Sequence, residues 1–386
     1  MPKQKTFISD LIDETAVETI FLAAKKSVRE TRNGDPYLCV TLQDRTGVIE
    51  ARGWDNAAQL ESRFDVEDFV AVRGRVSSYR GELQITIADL ERVSEDVLDL
   101  ADFLPHSRWD KEKLFQELTT LVEEQIESSE VRRFLQALFD DESWRRRYCR
   151  APAAVSNHHA YLAGLLEHSL SMARLAVQMG RHYGAYYPGF VDVDLLVAGC
   201  IIHDMAKIEE LEYRRTFDYT TEGRLIGHIV RGSEIVAEVA QSLTPELDEN
   251  LTTQLKHLVL SHHGKKEYGA PVTPKSPEAM LLHHLDMIDS RMNMSWNACQ
   301  PLVEDEETDE GWSDYQRTFG SFLYISGEAA RGWQDSPRSA ASGDGPGIAP
   351  ENSADNTASS TTANTGDSTS TRDNEPTEPN LELFED

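Results

Sequence analysis

At 386 residues, with 38 Lys and Arg against 67 Asp and Glu, the chain has room for two or three domains and a formal charge of −29. That balance excludes any account in which bulk positive charge holds a nucleic acid or an anionic membrane. Hydrophobic residues make up 39% and aromatic ones 8%, so part of the chain is expected to stay outside a core.

The N-terminal MPKQKTFISDLIDE lacks the apolar stretch of a secretory signal, and no run of eighteen apolar residues follows it, which predicts a cytoplasmic protein with no membrane partner. Across residues 1–95 apolar and polar side chains alternate with a period near two, broken by turn signals at Asn33-Gly34-Asp35-Pro36, Asp44-Arg45-Thr46-Gly47 and Arg80-Gly81. Strands are predicted at about 17–31, 37–43, 47–54, 68–77 and 82–93, with Leu38, Val40 and Leu42 on one side of the second and Tyr37, Cys39 and Thr41 on the other. A short helix at 56–63 between the third and fourth strands completes the order of a five-stranded Greek-key barrel of OB type. Such a barrel binds single strands through aromatic platforms and nearby arginines. The candidates are Tyr37, Trp54 and Tyr79 with Arg52, Arg73, Arg75 and Arg80, although Trp54 and Phe69 fit a core equally well. Residues 1–100 hold thirteen basic and nineteen acidic side chains, so any recognition there has to be local.

Residues 96–151 read as a helical connector, with Leu114, Leu118 and Leu121 and then Val131, Phe134, Leu135 and Leu138 at helical spacing. The region 152–333 shows no strand pattern and reads as an all-α domain with helices at about 158–182, 192–211, 223–242, 248–263, 276–298 and 311–331. Residues 334–386 carry fifteen Ser and Thr in a Gly/Pro/Asn/Asp background and are expected to be a disordered acidic tail. The expected fold class is thus multidomain, β plus all-α. Cys39, Cys149, Cys200 and Cys299 form no C-x-x-C pair and are expected to be reduced, mostly buried thiols.

Eleven of the twelve histidines lie between His158 and His284, which marks one region as chemically special. His203-Asp204 stands on an apolar stretch, LLVAGCIIHDMAKIEEL, with Lys207 on the same side of the helix and placed to meet a phosphate. His168 shares an inward stripe with Leu165 and Met172, His228 sits near Leu225 and Ile235, and His262-His263 ends a helix whose inner residues include Leu255 and Leu258. Asp286 lies on one helix face with His283, Asp289, Ser290 and Asn293. One histidine on an apolar stripe is commonly a satisfied core group. An inward candidate on each of five successive helices is better explained by metal ligation. Mixed imidazole and carboxylate donors suit Mn or Mg, with Fe, Co or Zn as alternatives, and a pair of such ions suits phosphoryl chemistry because it activates water and neutralises phosphate charge. Lys265-Lys266 and Arg214-Arg215 could receive the phosphates of an incoming strand, or form solvated loops. His158-His159 fits a helix start as well as a ligand.

The order His168, His203-Asp204, His228, His262-His263, Asp286 resembles the HD superfamily of metal-dependent phosphohydrolases. The phrases NHHAYLAGLLEHSLSMARLA, GCIIHDMAKIEEL, GRLIGHIVRG and LSHHGKKEYGAP are similar to those of the YhaM-type 3'-to-5' exoribonucleases, in which an OB-fold precedes the HD domain. YLCVTLQDRTGVIEARGWD and FVAVRGRVSSYRGELQITIADLERV are similar to that family's nucleic-acid-binding module, so the resemblance covers roughly 5–330. It implies an enzyme that uses two divalent ions on His168, His203, Asp204, His228, His262, His263 and Asp286, with Asp204 as the bridge and Lys207 at the phosphate. It also implies single-stranded RNA as substrate, with single-stranded DNA as an alternative, and a homo-oligomer. Ala206 stands where HD enzymes commonly have Gly, a change a helix accommodates. The Gly-Tyr-Pro signature of cyclic-dinucleotide phosphodiesterases does not follow His262-His263. The competing functions are a nucleotide phosphohydrolase with a regulatory barrel and a non-catalytic RNA-binding adaptor.

Overall fold

A computed structural model describes residues 5–31, 33–79, 81–95, 98–304 and 311–327; Arg80 and the acidic segment 334–386 lie outside the described residues. The period-two alternation becomes strands β1 (Ala16–Glu30), β2 (Pro36–Asp44), β3 (Gly47–Gly53), β4 (Phe69–Tyr79) and β5 (Glu82–Val93). They close into a barrel in the order β1-β2-β3-β5-β4, antiparallel except where β3 meets β5. β1 pairs through Ala16–Leu22 with β4 and through Leu22–Glu30 with β2, and a register shift between Ala23 and Lys25 marks the changeover. The extra residue bends the strand, which lets one strand serve both sides of a closed sheet. A second shift follows Arg73 at Gly74, where a Cβ would overlap the carbonyl oxygen of Thr86.

Phe21, Leu38, Val40, Val72, Ile85 and Leu90 fill the barrel, and α1 (Ala57–Glu61) covers one opening with Ala57 and Leu60. Leu22, Phe69, Leu100, Phe103, Leu104 and Leu162 form a separate apolar cluster that joins the barrel to the helices. Phe69 is therefore core, its ring edge-on to Phe103 at 4.8 Å, whereas Trp54 is 44% exposed.

Helices α2 (Lys111–Gln125), α3 (Ser129–Asp140) and α4 (Glu142–Tyr148) begin at Asp110, Ser128 and Asp141, whose side chains accept from backbone N–H groups of the first turns. Their Leu118, Phe134 and Tyr148 share one core with α5 (Gly164–Tyr186), α6 (Val193–Ile202), α9 (His228–Ser242), α10 (Glu249–Ser261) and α11 (Pro277–Glu304). Every residue of α6 from Leu195 to Ile202 is buried, which explains an apolar sequence with no polar face.

Four expectations need correction. The helix placed over 192–211 ends at Ile202; a turn follows and then α7 (Lys207–Glu210). The helix over 223–242 is interrupted at Gly227, whose φ of +76° separates α8 (Thr221–Ile226) from α9. The segment from 158 is a loop with left-handed backbone at His159 and Ala163, and α5 starts at Gly164. Strands occur beyond 152: β6 (Leu211–Glu212) pairs with β7 (Asp218–Tyr219), and β8 (Gly311–Trp312) with β9 (Tyr324–Ile325), where a helix over 311–331 was expected. In the second hairpin the rings of Trp312 and Tyr324 pack across the strands at 5.1 Å. The described residues fall into two units, divided between Asn297 and Ala298. Among them no helix is long and apolar enough to cross a membrane.

Candidate metal centre and nucleic-acid interface

Two helices end at the site. His203 is the C-cap of α6 and His262 the C-cap of α10, and each donates its Nδ1–H to a carbonyl three residues back, Cys200 at 3.1 Å and Val259 at 2.7 Å. These bonds satisfy carbonyls that a helix end leaves open, and the negative ends of both helices lie beside whatever positive charge the site collects. After His203 the chain tightens into bonds between residues three apart, Met205 N to Ile202 O and Lys207 N to Asp204 O. Neighbouring side chains on an α-helix diverge by about 100°. The tighter turn spreads them further, to about 120°, yet the side chains lean toward each other and His203 Nε2 and Asp204 Oδ2 come within 3.2 Å.

The remaining imidazoles are aimed by the same device. His168 Nδ1 donates to Asp289 Oδ2 at 2.7 Å, His228 Nδ1 to Glu210 at 2.9 Å, and His263 Nδ1 to the Tyr268 carbonyl at 2.6 Å. With every Nδ1 committed as a donor, each Nε2 carries the lone pair, the tautomer a metal requires. Asp204 divides the rings between its two oxygens. Oδ2 lies 3.2 Å from His203 Nε2 and 4.0 Å from His168 Nε2, while Oδ1 lies 3.4 Å from His228 Nε2 and 3.5 Å from His262 Nε2. Asp286 Oδ1 is 3.4 Å from His168 Nε2, and His263 groups with His228 and His262. The structure therefore brings together all seven residues expected to bind metal, as two sets that meet at one carboxylate.

The donors fit divalent cations. His168 Nε2, His203 Nε2, Asp204 Oδ1, His228 Nε2 and His262 Nε2 are half of the buried side-chain polar atoms that lack a hydrogen-bond partner among the described residues. Buried acceptors facing acceptors at 3.2–4.0 Å are unfavourable unless a cation lies between them. The electrostatics point the same way. Burial would raise Asp204, but Lys207 and His203 hold its carboxyl well below the usual range. Burial opposes positive charge on His168, yet Asp286 and Asp289 hold its affinity for a proton well above the usual imidazole range, and a cation at Nε2 would take that proton's place and leave the neutral ring as donor.

Lys207 is buried with Nζ 2.8 Å from Asp204 Oδ2, so its charge is paired with that carboxylate rather than directed out toward open solvent. Lys265 and Lys266 are exposed just after His263, and Lys265 leans over the Tyr268 ring. Arg215 does not face the site: it reaches Asp68 at 3.5 Å and Glu95 at 4.0 Å and so ties the helices to the barrel.

Glu210 and Asp289 are the orienting carboxylates. Asp289 shares a helix face with Asp286, which the sequence pattern exposes; Glu210 has no such signal, because it reaches His228 across a chain reversal. Gly264 is a further requirement. Its φ is +77°, and a Cβ there would overlap the ring of His283, whose Nδ1 donates to the His262 carbonyl at 2.8 Å. Gly264→Ala should cost at least about 2 kcal/mol of stability, read by denaturant unfolding, and should weaken metal binding by shifting His262 and His263.

On the barrel, register places Tyr37, Cys39, Thr41, Glu50, Arg52, Trp54 and Arg75 on one outer face. Tyr37 and Trp54 stack on each other at 4.7 Å and 27°, which makes one composite platform of two rings. Arg52 lies 5.6 Å from the Tyr79 ring, beside a groove of about 400 Å³ lined by Thr41, Glu50, Arg52, Tyr79 and Gln84. The arginines are already paired: Arg52 with Glu50 at 2.8 Å, Arg75 with Glu14 at 2.8 Å, and Arg73 with Asp89.

The HD domain model matches residues 165–291, and the model of an OB-fold nucleic acid binding domain matches residues 24–93. A protein of Oceanobacillus iheyensis, the 3'-5' exoribonuclease YhaM, is 37% identical over 302 residues, which are 78% of this chain and 92% of that protein. The chain belongs to the YhaM family. It is accordingly an enzyme, a hydrolase of the HD superfamily that carries an OB-fold. Among solved structures, the second OB-fold domain of replication protein A from Methanococcus maripaludis is similar at 20% identity and a TM-score of 0.20, over 24% of this chain and 96% of that one. The mitochondrial single-stranded DNA binding protein Rim1 of S. cerevisiae is similar at 12% identity and a TM-score of 0.20, over 22% and 97%.

Proposed function

We propose that the chain is a metal-dependent exonuclease that shortens single-stranded RNA from its 3' end and releases nucleoside monophosphates. The observation that carries this reading is the division of the Asp204 oxygens between two imidazole sets, an arrangement suited to a pair of divalent ions. Five ring nitrogens outnumber the two carboxylates, a donor set that favours Mn over Mg, which prefers oxygen ligands. Such ions, when bound, lower the pKa of water and neutralise charge on a scissile phosphate. The chain's own residues do the rest: Asp204 holds the two sets in register, Lys207 adds fixed positive charge beside Asp204 and so to the pocket the phosphate would enter, and Lys265 and Lys266 meet the next phosphate at the rim. The relative named as a 3'-5' exoribonuclease supports the polarity and the substrate.

The barrel binds the strand upstream of the cut. Because Arg52, Arg73 and Arg75 are paired with carboxylates of the barrel domain, binding rests on stacking against Tyr37 and Trp54, and stacking does not read the sugar, so the barrel holds RNA and single-stranded DNA alike. Trp54→Ala should weaken single-strand binding by about 1–3 kcal/mol, with little change in the rate on a dinucleotide too short to reach the barrel. Fluorescence anisotropy on labelled oligonucleotides checks the first expectation. The function is tested on 5'-labelled RNA with free and blocked 3' ends beside a panel of mononucleotides. Stepwise shortening only of the free end is expected. Phosphate release from mononucleotides with intact RNA would establish a nucleotide phosphohydrolase instead.

A further inference from the structure

The loop before α5 carries adjacent histidines with different fates. His159 is fully committed: its Nε2 lies 2.9 Å from Asp289 Oδ2, its Nδ1 2.8 Å from the Tyr161 hydroxyl, and its backbone N–H donates to Asn293 Oδ1 at 2.8 Å. Its carbonyl presses on α5 so closely that a Cβ on Gly164 would overlap it. The loop is thereby pinned to α5 and α11. His158, carried on this pinned loop and half-buried, has no hydrogen bond to either ring nitrogen among the described residues. Its ring centre is 5.6 Å from that of His168, and one ligand atom each of His158, His168 and Asp286 lie within 4.8 Å of one another.

We infer that His158 is an additional ligand of the ion position formed by His168, His203, Asp204 and Asp286, an inference that rests on the two-ion reading above. His159 serves as the anchor that turns its neighbour inward and is not itself a ligand, since both of its nitrogens are spent. The two positions then differ. The first has five protein donors, whereas the second, with His228, His262, His263 and Asp204, has four and keeps more of its coordination sphere for water and substrate.

The test uses the full-length protein, stripped of metal and titrated with Co²⁺, with ions counted by mass spectrometry and coordination followed by visible absorption. The parent is expected to take up two ions. His158→Ala should still take up two at saturation, one of them at least about tenfold more weakly, and the absorption of that binding step should change in intensity as a ligand is lost. His158→Gln, which fills the loop more fully, gives the same readout where alanine loosens the fold. Parental affinity and spectrum for both ions in both variants would overturn the inference and leave His158 facing substrate or solvent. Uptake of fewer than two ions by the parent would instead overturn the two-ion reading.

Discussion

Asp204→Ala should lower exonuclease activity by on the order of 10³-fold or more, because several kcal/mol of charge stabilisation would depend on the ions that this carboxylate is proposed to hold in common. No other side chain can take its place. Its two oxygens face different imidazoles, Oδ2 toward His203 and His168 and Oδ1 toward His228 and His262, so the loss disturbs both sets at once. Asp204→Asn keeps the shape and removes the charge, and it should fall almost as far. Thermal unfolding of the metal-free variants separates lost chemistry from lost fold. Asn at near-parental activity would show that the carboxylate is structural.

Asp289→Asn and Glu210→Gln should each weaken one ion by about 10- to 100-fold and spare the other. The asparagine change should be the more damaging. Asp289 accepts from His159, His168 and Ser171, so an amide NH₂ would face hydrogen-bond donors with nothing to receive its own hydrogens. Glu210 accepts from the His228 ring and from its backbone N–H, and a glutamine oxygen can still take one of these bonds. Calorimetric titration with Mn²⁺ resolves the two steps. Equal weakening of both ions in both variants would contradict the division into two sets.

The barrel was legible because its signal is local. Leu38, Val40 and Leu42 point inward and their neighbours outward, and the alternation predicts each strand to within a residue or two. The break after Ile202 was not legible, since no Gly or Pro marks it and the apolar pattern runs straight on through Met205 and Ile208. The hairpin formed by Trp312 and Tyr324 was hidden for the opposite reason: Trp312, Tyr315 and Phe319 have helical spacing, yet Trp312 packs on Tyr324 and Tyr315 on Phe322 across a reversal.

In the site, the inward stripes identify His168 and His262, whereas Leu225, read as the inward neighbour of His228, is exposed on a separate helix. Which oxygen of Asp204 each would face is a tertiary property that no spacing encodes. The same holds for the charges. Arg73, Arg75 and Arg215 read as contacts for phosphate, but carboxylates far away in sequence claim them, Asp89, Glu14 and Asp68 in turn. Among the described residues the candidate arginines of the barrel are thus claimed by carboxylates and do not offset the charge of −29. In the function proposed above, recognition there falls to the stacked rings of Tyr37 and Trp54.

In the proposed function the seven-residue cluster cuts RNA only when it holds a pair of divalent ions. The most direct measurement is to strip the full-length protein with a chelator, return Mn²⁺ in steps, and follow bound ions and 3'-end release together. No cleavage is expected without metal, and recovery should be complete at two ions per chain. Cleavage that survives complete removal of metal, or full recovery with one ion, would contradict the proposed function.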